Sequence, residues 1–164
     1  MLPATSYRLK MPNDPALIDE MLRNAKTIAV VGMSDKSWRA SYNVGRYLAT
    51  QGYRVLPVNP ALTEIAGLPC YPDLDAAQAA ALKESDLAQI AQGIDLVDVF
   101  RASEHVPAIV DDVIRLRIPY LWLQDEVVHE EAIARAGTAG VKCVENDCIF
   151  REHAKRPELH GKRD

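Results

Sequence analysis

Thr27-Ile28-Ala29-Val30-Val31-Gly32-Met33-Ser34-Asp35-Lys36-Ser37-Trp38-Arg39-Ala40-Ser41 decides the fold. Its first five residues are β-branched or small, with no polar alternation, which reads as a strand buried on both faces of a parallel sheet. Gly32 ends the strand. A Ser-rich turn then leads into a helix from about Ser41 to Gln51, with Val44, Tyr47 and Leu48 on one face and Gly52 closing it. The same unit recurs downstream. Strands are expected at Tyr53–Val58, Leu68–Tyr71, Ile94–Phe100, Tyr120–Leu123 and Val141–Val144. Helices are expected at Asp75–Gln92, Ser103–Leu116 (with Ser103 as N-cap), Val127–Ala136 and Cys148–Lys155. Upstream, Asp14-Pro15 is an N-cap followed by proline at the first helical position, opening a helix to about Asn24. Strands alternating with helices predict an α/β fold: a single doubly wound, Rossmann-like parallel sheet of about five strands with helices on both faces. Right-handed crossovers favour a strand order of about 3-2-1-4-5.

The 164 residues suffice for one domain, divided as an N-terminal segment and helix (1–26), the Rossmann-like domain (27–156) and a frayed charged tail (157–164). Lys plus Arg number 19 and Asp plus Glu 23, so the net charge is 19 − 23 = −4. That balance does not suit duplex nucleic acid or an anionic membrane surface, so an anionic ligand has to be held by local geometry. No apolar run reaches the roughly 20 residues of a membrane span. Three cysteines, Cys70, Cys143 and Cys148, with no Cys-x-x-Cys spacing, point to reduced thiols and a cytoplasmic setting.

In a doubly wound sheet, ligands bind beyond the carboxyl ends of the strands. The loop from Gly32 to Ser41 is the most informative of those loops. Gly32 lets a ligand approach the backbone, and if its angles are strand-like a valine there leaves the fold intact. Ser34, Ser37 and Ser41 lie near a helix N-terminus, with Lys36 and Arg39 adding positive charge, a pattern suited to phosphate. The same residues also fit a plain strand-to-helix turn with a serine cap. Ser34 and Ser37 stand where the dinucleotide fingerprint Gly-x-Gly-x-x-Gly has its second and third glycines, and the ribose-binding acid is missing. Both departures count against NAD. Trp38 either stacks on a base or packs on the protein. At the end of the second strand, Pro57-Val58-Asn59-Pro60 forms a stiff turn with a polar edge at Asn59.

Together, Val30-Val31-Gly32-Met33-Ser34, Arg39-Ala40-Ser41-Tyr42-Asn43-Val44, Pro57-Val58-Asn59-Pro60, Val99-Phe100-Arg101, Trp122-Leu123-Gln124 and Asp147-Cys148 resemble the small stand-alone bacterial CoA-binding proteins. Their domain is similar to the N-terminal domain of the succinyl-CoA synthetase α subunit. The resemblance implies binding of coenzyme A or an acyl-CoA, with amides of Met33 and Ser34 on the pyrophosphate and Lys36, Ser37, Arg39 and Ser41 nearby. It further implies an adenosine wall at Val58, Asn59 and Pro60, a far side closed by Phe100 and Arg101, and a contact from Gln124. The family commonly places a glycine soon after Trp-Leu-Gln, where this chain reads Gln124-Asp125-Glu126, and two acids there would repel the ligand if they faced inward.

Other constellations are bland. His105, His129, His153 and His160 contain no i, i+4 pair and read as surface residues, so no metal site is expected. Asp95, Asp98 and Asp125 form no acid–base pair, and Cys148 reads as structural. The expectation is therefore a binder of coenzyme A without catalytic apparatus. An NAD(P)-binding oxidoreductase domain and an interaction module with a vestigial nucleotide pocket are the alternatives. Oligomeric state is not legible.

Overall fold

A computed structural model describes residues 13–83 and 93–161. The run beginning at Thr27 forms β1 (Thr27–Val31), buried along its whole length. It pairs in parallel with β2 (Arg54–Val58) on one side and β5 (Leu96–Val99) on the other. β6 (Tyr120–Leu123) and β7 (Lys142–Val144) complete a five-stranded parallel sheet of order β2-β1-β5-β6-β7. The expected outermost strand does not form. Instead β3 (Glu64–Ile65) and β4 (Leu68–Pro69) fold on each other as an antiparallel hairpin. Ala66 and Gly67, both with positive φ, make the turn between them. Only Tyr71 reaches the sheet, through a single parallel bridge to Val58 that covers the edge strand carrying Pro57.

Because side chains alternate along a strand, the sheet divides the core in two. Ala29, Val31, Val97, Val99, Leu121 and Leu123 face α3 (Leu74–Lys83), α4 (Val106–Arg115) and α5 (Glu130–Thr138). Ile28, Val30, Leu96, Trp122 and Val144 face α1 (Pro15–Asn24), α2 (Ala40–Thr50) and α6 (Ile149–Ala154). Asp14 caps α1 as expected, its carboxylate accepting from the Ala16 amide at 2.9 Å. The part of the Asp75–Gln92 expectation beyond Lys83 lies outside the described residues.

One capping expectation gives way to a longer-range bond, and two histidines expected at the surface have structural roles. Ser103 does not cap a helix. Its hydroxyl accepts from the Val128 amide at 3.0 Å, and a 3-10 turn, Ser103–His105, precedes α4. His129 is the N-cap of α5, its Nδ1 accepting from the Ala132 amide at 3.1 Å. His153 is fully buried, with Nδ1 2.7 Å from the Tyr47 hydroxyl and its ring stacked on His160. The tail expected to fray is docked through Gly161, because Leu159 enters the core and the Gly161 amide donates to Gln51 at 2.9 Å.

Candidate functional site

β1 and β5 are neighbours in the sheet, yet α2 and α4, which follow them, lie on opposite faces. The chain therefore parts at their carboxyl ends and leaves a crevice there. A cavity of about 460 Å³ opens at that point, lined by Gly32, Ser34, Asp35, Lys36, Arg39, Ala40, Ser41 and Phe100. Five of the residues singled out in the Gly32–Ser41 loop meet here (Gly32, Ser34, Lys36, Arg39 and Ser41), together with Phe100, which directly follows β5.

Gly32 has φ +83, and a Cβ built on it would lie 2.4 Å from the Phe100 carbonyl oxygen. The angles are not strand-like, so the expectation that valine is tolerated fails. The missing side chain lets the β1 turn cross the end of β5, with the Gly32 amide donating to the Val58 carbonyl at 2.9 Å. Beyond it the loop is internally braced. The Ser34 amide donates to Ser41 Oγ at 2.9 Å, and the Lys36 amide to Ser34 Oγ at 3.0 Å. Asn43 Nδ2 donates to the Ser37 and Arg39 carbonyls, each at 3.0 Å.

That bracing occupies one of the two amides expected to meet a ligand. The Ser34 amide is taken by Ser41, and the Met33 side chain is buried against Gly45, with the Met33 carbonyl accepting from Asn59. By contrast, no side chain caps α2 at Arg39, and Ala40 and Ser41, whose first-turn amides lack an intrahelical acceptor, both line the cavity. Positive charge stands beside them. Lys36 Nζ lies 3.7 Å from Asp35, which also lines the cavity, and Arg39 is exposed.

The remaining singled-out residues brace neighbouring loops. Asn59 is bonded at both ends: Nδ2 donates to the Met33 carbonyl at 3.1 Å, and Oδ1 accepts from the Ala61 amide at 2.9 Å. Val58 is buried and Pro60 exposed. Arg101 Nη2 sits 3.1 Å from His105 Nε2. Gln124 is buried, and its Oε1 accepts from the Ile149 amide at 3.1 Å, tying β6 to the start of α6.

Asp125 is paired with Arg151 through two bonds of 2.8 and 3.1 Å, which hold its carboxyl below the usual range. Arg151 also reaches Asp147 at 3.0 Å. Asp125 is therefore neutralised at its own loop. Glu126 has φ +68, the left-handed conformation that favours glycine, and its amide donates to Asn146 Oδ1 at 2.7 Å.

Asp98 was not expected to matter. It lies in register between Val30 and Trp122, one side-chain row beneath Phe100. It is fully buried, neither carboxyl oxygen has a hydrogen-bond partner, and burial raises its pKa well above the usual carboxylate range. The thiols of Cys70, Cys143 and Cys148 are unpaired. Burial raises that of Cys70 and, with the Glu145 charge adding to it, pushes that of Cys143 up to about 12. Among the described residues no group of three or more His, Cys, Asp or Glu could hold a metal ion, and no helix is long and apolar enough to cross a membrane.

Residues 26–154 match the family described as CoA binding domain. The chain belongs to this CoA-binding domain family. Its relatives include the uncharacterized protein YneT of Bacillus subtilis, 34% identical over 139 residues that cover 85% of this chain and 93% of YneT. Among solved structures, a hypothetical protein from Pyrococcus horikoshii OT3 is 32% identical with a TM-score of 0.74, covering 88% of this chain and 95% of its own. The dinucleotide-forming acetyl-coenzyme A synthetase 1 of Ca. Korarchaeum cryptofilum shares the fold at 23% identity and TM-score 0.56. There the match covers 76% of this chain and 26% of the synthetase, so the same fold also occurs as one part of a larger chain.

Proposed function

We propose that the protein binds coenzyme A or an acyl-CoA in the crevice between the ends of β1 and β5. The observation that carries this reading is the uncapped N-terminus of α2 at a cavity lined by its first residues, Ala40 and Ser41, together with Lys36 and Arg39. Those amides and the helix dipole favour a diphosphate. This assignment moves the anchor from the Met33 and Ser34 amides expected from the sequence to the first turn of α2. Ser34 and Ser41 then act on each other, bracing the loop through the bond from the Ser34 amide to Ser41 Oγ. Phe100 and Arg101 border the path toward β5. Binding is assigned here, not turnover.

A thermal-shift panel of CoA, acetyl-CoA, NAD, NADP, ATP and FAD tests the reading. A ligand at 100 times its dissociation constant stabilises by about 2.7 kcal/mol. CoA or acetyl-CoA is expected to raise the melting temperature more than NAD or FAD at equal concentration. A shift with NAD and none with CoA would overturn the reading.

A further inference from the structure

Trp38 is 75% exposed. The other exposed large apolar residues among those described are Phe150, which packs edge-on against Tyr47 at 4.4 Å, and Leu82, which adjoins the undescribed residues. Trp38 has no ring or cation partner among the described residues, although Lys36 and Arg39 are close in sequence. Packing on the protein, one of the two roles open to it from sequence, is therefore not what this side chain does. Its backbone is nonetheless held. The carbonyls on either side, of Ser37 and Arg39, both accept from Asn43 Nδ2 at 3.0 Å. The indole is thus a solvent-facing plane carried on a hydrogen-bonded backbone two residues before Ala40, within about 7 Å along the chain of the amides assigned to the diphosphate.

We propose that Trp38 is the platform on which the purine base of the bound nucleotide stacks, an inference that rests on the CoA reading above. The diphosphate would anchor at α2, and the base would fold back over the loop onto the indole. Two features favour this over the turn at Val58–Pro60. Both polar ends of Asn59 are already bonded within the protein, and the Val58 side chain is buried. Stacking needs only a π-face, which Trp38 offers from the loop whose flanking residues Lys36 and Arg39 line the cavity, and a flat ring can cover the base with few rotatable bonds to fix.

The test is calorimetric titration of CoA into the parent, Trp38→Phe and Trp38→Leu, with tryptophan emission followed in the parent. Trp122 is fully buried, with Nε1 donating to the Asp147 carbonyl at 2.9 Å, so quenching on titration reports on Trp38. Trp38→Leu is expected to weaken CoA binding by about 5- to 150-fold, the span of base–aromatic stacking, while Trp38→Phe keeps most of the affinity. Parent-like affinity in Trp38→Leu would overturn the platform and leave the CoA reading standing. Equal losses in Phe and Leu would also overturn it, since either aromatic ring can stack. A parent that binds no CoA would overturn both.

Discussion

Replacing Gly32 separates two reasons for a glycine, and the structure supplies its own control. Gly32 and Gly140 both have strongly positive φ, +83 and +91. An alanine at either position takes on the left-handed strain of an L-residue, about 1–2 kcal/mol, partly offset by the reduced entropy of the unfolded chain. Around Gly140 nothing lies within 4 Å of the added Cβ, so the variant should lose about 1 kcal/mol. At Gly32 the Cβ also meets the Phe100 carbonyl oxygen at 2.4 Å and Arg101 Cδ at 3.0 Å. Restoring ordinary contact requires the end of β5 to move by about 1 Å, which strains the bond from the Phe100 amide to the Val31 carbonyl at 2.8 Å. Gly32→Ala should therefore lose roughly 3 kcal/mol, and about 6–12 °C in melting temperature for a chain of this size. Gly32→Val adds a β-branch and should lose more. Urea unfolding followed by circular dichroism, with all three variants alongside the parent, gives the values. Equal losses at Gly32 and Gly140 would show that the Phe100 carbonyl does not crowd this site.

Asp98 makes a pH-dependent contribution. Its folded pKa is raised, so the stability it supports is present below its unfolded value of about 3.9 and is lost as pH rises toward the folded value. Unfolding free energies from pH 4 upward should show the parent losing ground to Asp98→Asn; parallel profiles would contradict the buried, unpartnered carboxyl. Glu126→Gly should stabilise by about 0.5–1 kcal/mol in the same urea assay, because relief of left-handed strain exceeds the added chain entropy. A net loss would mean that the Glu126 side chain supports the loop. Titration with a thiol reagent in denaturant without reductant should find three sulfhydryls, and in the native protein Cys70 and Cys143 should react slowly. A single reactive thiol in denaturant would reveal a disulfide.

The sheet was legible in the sequence because its strands are short, apolar and without alternation, and the Asp14-Pro15 start of α1 carries its own local signal. What escaped depends on contacts distant along the chain. The third strand was lost because residues 64–69 close locally on an Ala66-Gly67 turn, leaving one bridge from Tyr71. Ser103 looked like a cap, but its hydroxyl serves a loop 25 residues away. The loop Gly32–Ser41 stands out in the sequence and lines a cavity in the fold, yet the use of Gly32 is fixed by the end of β5, which no local pattern reveals. Likewise, Ser41 Oγ takes the Ser34 amide, and that pairing shifts the open donors to the first turn of α2. Asp98 could be read only as an isolated acid until the sheet register buried it between Val30 and Trp122.

The claim that the first turn of α2 holds the diphosphate is tested most directly by CoA titration of Ala40→Pro. Ala40 is the first helical residue, where proline is well tolerated, and Arg39 before it already has the extended angles (φ −87, ψ 141) that proline requires of its predecessor. The substitution should thus leave the fold intact by circular dichroism while deleting one amide donor and filling its direction with the ring. Losing a hydrogen bond to a charged group removes about 1.5–3 kcal/mol, so calorimetry should show CoA binding weakened by about 10- to 150-fold. A folded Ala40→Pro variant that binds CoA as tightly as the parent would place the phosphates elsewhere and contradict the account.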